Sequence, residues 1–511
     1  MTDERGSRRS AARVGYGAAA RPATPADNLA WRASETPSAT ALSWDGGRWT
    51  YRDLDARATA LANRLRALGA APGEAATLCA TPSAVAVAAL FGVWRIGCVA
   101  APLHERLTPP EVDHARQIVM SRLHIDNSTL HMASGPGMRT AFEEVRTGIR
   151  GAPARVNGRS RYAGFPDVSL LILTSGSSGA PRAIGFTQGT LAASASAVAR
   201  RLRLTADDRW GLCLSPGHIG GLSLIVRAVM TGSSVRLWPS FDAGAVARSM
   251  LAGRVSHLAV VPVMLRRMLD RLAGERAPPT LRCVLVGGAA ASRPLLEKAW
   301  EAGLPVATTW GMTETASQVA TAPPELARMH PETAGRPLRG VEVRRAPGGA
   351  LCVRGPTLAS LVVRGPGAPP EPLPTDADGW FSTRDLGEVD AAGLVRIEGR
   401  ADATIVSGGL NVSPAEVERV IEELPGVCEA VVFGMPDEDW GEAVAAVVEG
   451  GASAVTAEDV DRHCRERLVR GRCPTRIAVV DELPRTWTGK AMRSRVRERY
   501  GPELRARSTL A

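Results

Sequence analysis

Leu54, Leu61, Leu65 and Leu68 recur at helical spacing in "TYRDLDARATALANRLRALGAAPG" (50–73), where Gly69 and then Pro72-Gly73 close the run. The spacing predicts an amphipathic helix packed on a core. "AVAVAALFGVWRIGCVAAPL" (84–103) is apolar with small residues and predicts a helix feeding a short buried strand that ends near Pro102. The same grammar returns further on. "SLLIL" (169–173) is a strand that runs into a Gly/Ser loop, "SHLAVVP" (256–262) leads into the helical "VMLRRMLDRL", and "LRCVLVGG" (281–288) ends in two glycines. Each strand therefore ends in a turn where a ligand can approach backbone.

Residues 346–380 are dense in Gly and Pro and read as short strands joined by turns. Composition shifts again at Gly399. Beyond it, "SPAEVERVIEEL" and "TAEDVDRHCRERL" open on the helix N-caps Ser413 and Thr456, and between them "CEAVVFGMPDEDWGEAVAAVVEG" reads as two strands around a turn. The expected fold class is α/β: a large N-terminal domain of β-sheets flanked by helices (27–399), then a small mobile α+β C-terminal domain (400–505). Residues 1–26 are expected to form a disordered extension. No internal repeat at a fixed period is present.

Composition narrows the function classes. With 45% apolar and 22% charged residues, the 511-residue chain is neither fibrous nor disordered as a whole. The net charge of +10 could point to a polyanion, but the arginines are scattered and only 4% of residues are aromatic, so nucleic acid is not an expected partner. The eight cysteines contain no C-x-x-C pair, and no apolar run is long enough to span a membrane. These features predict a cytoplasmic protein without a disulfide framework or zinc site. A homodimer or other homo-oligomer stays open.

Three segments carry candidate chemistry. In "LTSGSSGAPRAIGF" (173–186), a strand runs into Thr174, Ser175, Gly176, Ser177, Ser178 and Gly179, so hydroxyls and unobstructed N–H groups can converge on a phosphate beside Arg182. It does not fit a Walker A loop, and a flexible Ser/Gly linker is the alternative. In "TTWGMTETAS" (308–317), Thr313 and Glu314 set a hydroxyl beside a carboxylate, suited to a phosphate oxygen and a hard Mg²⁺, while Trp310 offers an aromatic face for a base. Such Thr-Glu pairs also occur simply as helix-starting polar residues. In "GWFSTRDLGEVDAAGLVRIEGRADATIVSGGLNVSPAEVE" (379–418), Asp385 can accept from ribose hydroxyls and Arg400 can donate to the same sugar, with Asp402 at the compositional boundary. Solvated or capping roles are the alternative.

In this order, together with "PRTWTGKAMR" (484–493), the segments resemble the adenylate-forming superfamily of acyl-CoA ligases, luciferases and adenylation domains from about residue 27 to 500. The resemblance implies ATP, Mg²⁺ and coenzyme A as ligands, with a small-molecule carboxylate as substrate. Thr174 to Gly179 would form the loop over the β- and γ-phosphates, Thr313 would contact the α-phosphate, and Glu314 would hold the metal. Asp385 and Arg400 would grip the ribose, and Asp402 would be the hinge. Gly287, Gly288 and Ala289 would lie along the adenine and acyl pocket, Gly311 beside Trp310 would be cofactor-binding, and Gly408 and Gly409 would line a pantetheine tunnel.

Arg182 stands where the family usually has a lysine, Trp310 replaces the commoner Tyr, Arg384 takes the place of a Gly, and Ala403 that of a second Asp. "LSPGHIGGLSLIVRAVMTGSSV" (214–235) and "VLVGGAAASRPLLEKAWEAGLPVATTWGMTETASQVAT" (284–321) look more like the 2-succinylbenzoate–CoA ligase branch than like fatty-acyl ligases. They implicate His218 and Gly220 in the carboxylate pocket, with Ser317 and Gln318 nearby. The runner-up readings are another aryl- or acyl-CoA ligase, a free-standing enzyme loading a carrier protein, and a non-catalytic nucleotide-binding homologue.

Lys490 is one of two lysines among 62 basic residues; the other, Lys298, reads as a solvent-facing helix residue. By the resemblance, Lys490 swings in to bridge the attacking carboxylate, ribose and α-phosphate. A compact ammonium suits three surrounding oxygens better than a planar guanidinium does.

Overall fold

The computed structural model describes residues 23–126, 146–147, 155–156, 159–160, 162, 164–175, 181–437, 440–451, 455–486 and 489–506. Thr50 and Asp53 form a capping box that starts the helix Tyr51–Ala67. Leu54, Leu61 and Leu65 are fully buried along it, as their spacing predicts. The next apolar segment gives the helix Ala84–Arg95, buried as far as Trp94, and the buried strand Val99–Leu103. The first helix of the described residues is Pro25–Glu35, capped by Thr24. Residues 25 and 26 therefore belong to a helix and not to the expected extension, whose residues 1–22 lie outside the described residues.

A nine-stranded sheet runs through Arg336–Pro337, Ser317–Ala322, Val306–Met312, Cys283–Val286, His257–Val260, Arg209–Leu212, Ser234–Leu237, Thr40–Trp44 and Gly47–Thr50. Its middle is parallel and its two edges antiparallel. Val286 lies opposite Thr308, so the Gly-Gly turn and the "WGMTET" segment emerge side by side at strand carboxyl ends. In a second, eight-stranded sheet, Val168–Ser175 and Pro181–Thr187 pair antiparallel with Thr174 opposite Arg182. One apolar cluster joins side chains of both sheets, among them Trp210, Leu285, Leu78 and Ile172.

A four-stranded antiparallel sheet follows, in which Asp385 faces Arg400 across the strands Phe381–Val389 and Val395–Arg400. The C-terminal part has its own five-stranded sheet and its own cores, around Val417, Ile421 and Val460 on one side and Val431, Val447 and Val496 on the other. Its expected strand pair is the hairpin Val427–Asp437 and Gly441–Gly450. Thr456 caps its helix through a box with Asp459. Ser413 also starts a helix, but its hydroxyl donates to the Glu398 carbonyl at 2.9 Å instead of capping. The architecture is α/β, a large sheet domain followed by a small C-terminal one.

Two of the contacts between the domains involve the helix Pro262–Leu272. Arg266 donates to the Cys428 carbonyl. Gly489, at φ +82°, lies so close to the helix Pro262–Leu272 that a Cβ there would stand 2.7 Å from Val263. Among the described residues no helix is long and apolar enough to cross a membrane. All eight cysteines are thiols, seven of them buried.

Candidate active site

The turn after Val306–Met312 has an unusual backbone. Ala316 and Ser317 are left-handed at φ +49° and +99° without being glycine, and a Cβ on Gly311 would collide with the Ser317 carbonyl. Such strain persists only where neighbours over-determine it. Ser194 donates to the Ala316 carbonyl at 2.7 Å, the Ala359 N–H to the Glu314 carbonyl at 2.8 Å, and the Met312 N–H to the Thr315 hydroxyl at 3.2 Å. Thr313 and Glu314 are thereby presented together on a braced turn. Gly287 packs against its flank, where a Cβ would stand 2.7 Å from Thr309; Gly288, at φ +81°, and Ala289 continue along the same strand ends.

Charged groups converge on this turn. Arg182 forms an ion pair with Glu314 and reaches Thr174 Oγ1 at 3.4 Å. The Trp310 indole donates to Asp385 Oδ2 at 2.7 Å, and Arg400 donates to Asp385 Oδ1 at 3.2 Å. Arg400 also holds Asp402 through two hydrogen bonds, at 3.0 and 3.2 Å, and Arg384 adds a third at 3.3 Å. The Arg400 hydrogen bond keeps the Asp402 carboxyl below its usual range.

Lys490 enters from the small domain. Part of its side chain faces solvent, yet crowding by protein atoms lowers its ammonium pKa, Arg400 and Arg493 lower it further, and Asp385 and Glu418 oppose them. The lysine therefore stands in the field of the Asp385–Arg400 pair. Its loop is clipped by Arg485, which donates to the Gly489 carbonyl at 3.1 Å and to Glu449 at 2.7 Å and pairs with Glu429.

A cleft of about 810 Å³ opens beside the loop that carries Lys490, walled by His218, Trp238, Phe241 and Met264 from the large domain and by Leu483 and Gly489 from the small one. His218 packs 5.2 Å from the His104 ring, and its Nε2 is buried without a hydrogen-bond partner. Burial, then His104, pushes its pKa down to about 4, so it is neutral at pH 7 and offers a hydrogen bond without charge. Gly220 lies in the first turn of the helix that follows.

Thr174, Arg182, Trp310, Glu314, Asp385, Arg400 and Lys490 are thus linked by contacts or by charge. Gly176, Ser177, Ser178 and Gly179, together with the Ser175 side chain, lie outside the described residues. Gly408 and Gly409 form the exposed turn between Ile405–Ser407 and Leu410–Val412, with Trp440 against Gly408, and they are not part of the cleft wall. Lys298 is exposed, as expected. Sequence reasoning missed the braces Ser194 and Arg485, and Trp238 in the cleft wall. Among the described residues no group of three or more His, Cys, Asp or Glu could hold a metal by itself. Glu314 offers one hard oxygen ligand, which suits Mg²⁺ shared with substrate phosphates.

Comparison with known proteins gives concordant matches. The AMP-binding enzyme family matches residues 29–367, and the AMP-binding enzyme C-terminal domain matches residues 416–490. A 2-succinylbenzoate–CoA ligase of Bacillus cereus is 31% identical over 484 residues, 92% of this chain and 97% of that protein. The o-succinylbenzoate CoA synthetase of Bacillus subtilis in complex with its acyl-adenylate intermediate OSB-AMP is 29% identical, with a TM-score of 0.78 over 92% of this chain and 97% of that one. The same Bacillus subtilis enzyme in complex with ATP and magnesium ion is 30% identical, with a TM-score of 0.78 over 92% and 99% of the two chains.

Proposed function

The chain belongs to the AMP-binding enzyme family and is an acyl-adenylate-forming carboxylate–CoA ligase; from that premise we propose that its carboxylate is 2-succinylbenzoate and that the residues gathered above divide the work. Its two half-reactions need positioning and charge stabilisation more than a side-chain nucleophile.

In the first, a substrate carboxylate oxygen attacks the α-phosphorus of ATP and pyrophosphate leaves. Asp385 accepts from the ribose hydroxyls with Arg400 beside it, and Thr313 donates to an α-phosphate oxygen. The Thr174–Gly179 segment and Arg182 receive the outer phosphates. Glu314 would hold Mg²⁺, which when bound supplies neutralisation of phosphate charge. Lys490 sets its ammonium among the oxygens as negative charge concentrates there.

In the second half-reaction the small domain (400–505) turns on the large one (27–399) about Asp402. The coenzyme A sulfur, having lost its proton, attacks the acyl carbon and AMP leaves. Gly408 and Gly409, without side chains, line the pantetheine passage. His218 offers its unpaired Nε2 to a hydrogen bond with the acyl substrate. A cytoplasmic setting suits these substrates and the eight thiols.

The observation that carries this reading is the gathering of Trp310, Asp385 and Arg400 beside the turn on which Glu314 meets Arg182 and Thr174. It is tested by a thioester-forming assay over 2-succinylbenzoate, simple aromatic acids and fatty acids. The expected result is the highest kcat/KM for 2-succinylbenzoate. Turnover of another acid in its place would remove the substrate assignment and leave the ligase chemistry standing.

A further inference from the structure

Arg182 and Glu314 each have a second engagement in the proposed reaction, and in the structure they engage each other. The Glu314 side chain is 12% exposed and that of Arg182 29%. A carboxylate so withdrawn from water needs a counter-charge, because desolvation of an unpaired ion is costly. The guanidinium supplies it. Arg182 projects from the strand Pro181–Thr187, and its Nε is anchored on Thr174 of the paired strand. Glu314 sits on the braced turn that hydrogen bonds from Ser194 and Ala359 hold. Neither partner hangs on a long exposed tether, so the pair is set by two rigid elements.

Arginine at this position is consequential. Its planar fork matches a carboxylate and stays charged at every working pH, whereas an ammonium is a compact point charge. The same fork matches phosphate oxygens equally well.

We propose that Arg182 and Glu314 are a charge-exchange pair that makes the enzyme accept metal and nucleotide together and resist either alone. This rests on the reading of Glu314 as metal holder and Arg182 as phosphate ligand. A divalent cation arriving by itself must displace Arg182 and leave a cation uncompensated beside it. Metal-free ATP must take Arg182 and leave the Glu314 carboxylate facing the phosphates. When both arrive, each member trades one opposite charge for another and no charge is stranded. Binding of the two ligands is therefore positively coupled through this pair, beyond their association in solution.

The coupling can be read from both sides without turnover. Mn²⁺, as a paramagnetic stand-in for Mg²⁺, is titrated into the full-length protein in the absence of nucleotide, and unbound Mn²⁺ is followed by electron paramagnetic resonance. Arg182→Gln should tighten one Mn²⁺ site about tenfold relative to wild type, and the double variant Arg182→Gln/Glu314→Gln should lose that gain. Conversely, Glu314→Gln should tighten binding of ATP in excess chelator about tenfold, measured calorimetrically. Unchanged Mn²⁺ affinity in folded Arg182→Gln, or unchanged metal-free ATP affinity in Glu314→Gln, overturns the proposal. Should Arg182→Gln fail to fold, the Glu314→Gln titration decides by itself. No carboxylic acid substrate is added in either titration, so a wrong substrate assignment cannot produce or mask the result.

Discussion

The Trp310 indole N–H donates to Asp385 Oδ2 at 2.7 Å while Arg400 donates to Oδ1 at 3.2 Å, so both oxygens of the proposed ribose-binding carboxylate are held by protein donors. Trp310 is itself 7% exposed, which fixes the direction of its N–H. Trp310→Phe keeps the aromatic face and removes one hydrogen bond to a charged acceptor, worth about 1.5 to 3 kcal/mol. The expected outcome is a KM for ATP raised roughly tenfold in pyrophosphate exchange with a smaller change in kcat. An unchanged KM would mean that Arg400 alone orients Asp385.

Asp402 is gripped twice, by Arg400 at 3.0 Å and by Arg384 at 3.3 Å. The Arg384–Asp402 pair is 53% and 33% exposed, so Arg384→Gly should change stability by less than about 1 kcal/mol. Its effect on the proposed hinge should be larger than its effect on stability. Loosening one of two clamps should speed conversion of a supplied acyl-adenylate to thioester about two- to fivefold, with adenylate formation not accelerated. Single-turnover measurement of each half-reaction checks this, and equal changes in both would remove Arg384 from the rotation.

His257 predicts acid sensitivity. It is 1% exposed, 4.8 Å from the Trp210 ring, 2.9 Å from the Ser256 hydroxyl and 3.5 Å from Asp208, with Arg227 and Arg282 nearby. Burial pushes its pKa down to about 4 from an ordinary 6.5, against the pull of Asp208. The unfolded chain therefore binds the proton first as pH falls, so this contribution to stability is complete above about 6.5 and is lost progressively toward about 4. The expected result is a Tm that declines across that window, with His257→Gln declining less steeply. His218 adds a slope of the same sign. Parallel profiles for the variant and wild type would exclude His257 as the group responsible.

The parts legible in the sequence were those whose cause is local. Leucines seven and four apart buried one helix face, and short apolar runs before glycines became strands ending at the site. The braces were not legible, because their partners are remote: Ser194 reaches Ala316 across 122 residues, and Arg485 reaches Glu429 across 56. Neither residue carries a period or spacing that could announce the contact. Ser413 falls between the two cases. Its type and position mark a helix start, but a carbonyl delivered by the neighbouring sheet, Glu398, takes its hydroxyl. Arg182 was legible as a candidate anion ligand, while its pairing with Glu314 depends on two sheets meeting.

Lys490 offers the sharpest separation of the two half-reactions. Its ammonium is crowded by protein and lies in the field of Arg400 and Arg493, which lowers its pKa, while Asp385 and Glu418 hold part of the charge. If the charged form stabilises adenylate formation, that half-reaction should fall off on the alkaline side at a lower pH than an ordinary lysine would set. Lys490→Ala should slow adenylate formation by about a hundredfold or more and leave thioester formation from a supplied acyl-adenylate mostly intact. Lys490→Arg is the informative companion. A guanidinium does not deprotonate in the working range, so the alkaline limb should disappear, while the planar fork, fitting the three oxygens poorly, should keep the rate below wild type. Equal damage to both half-reactions by Lys490→Ala, or an alkaline limb that survives in Lys490→Arg, would assign the limb to another group and return the lysine to a structural role.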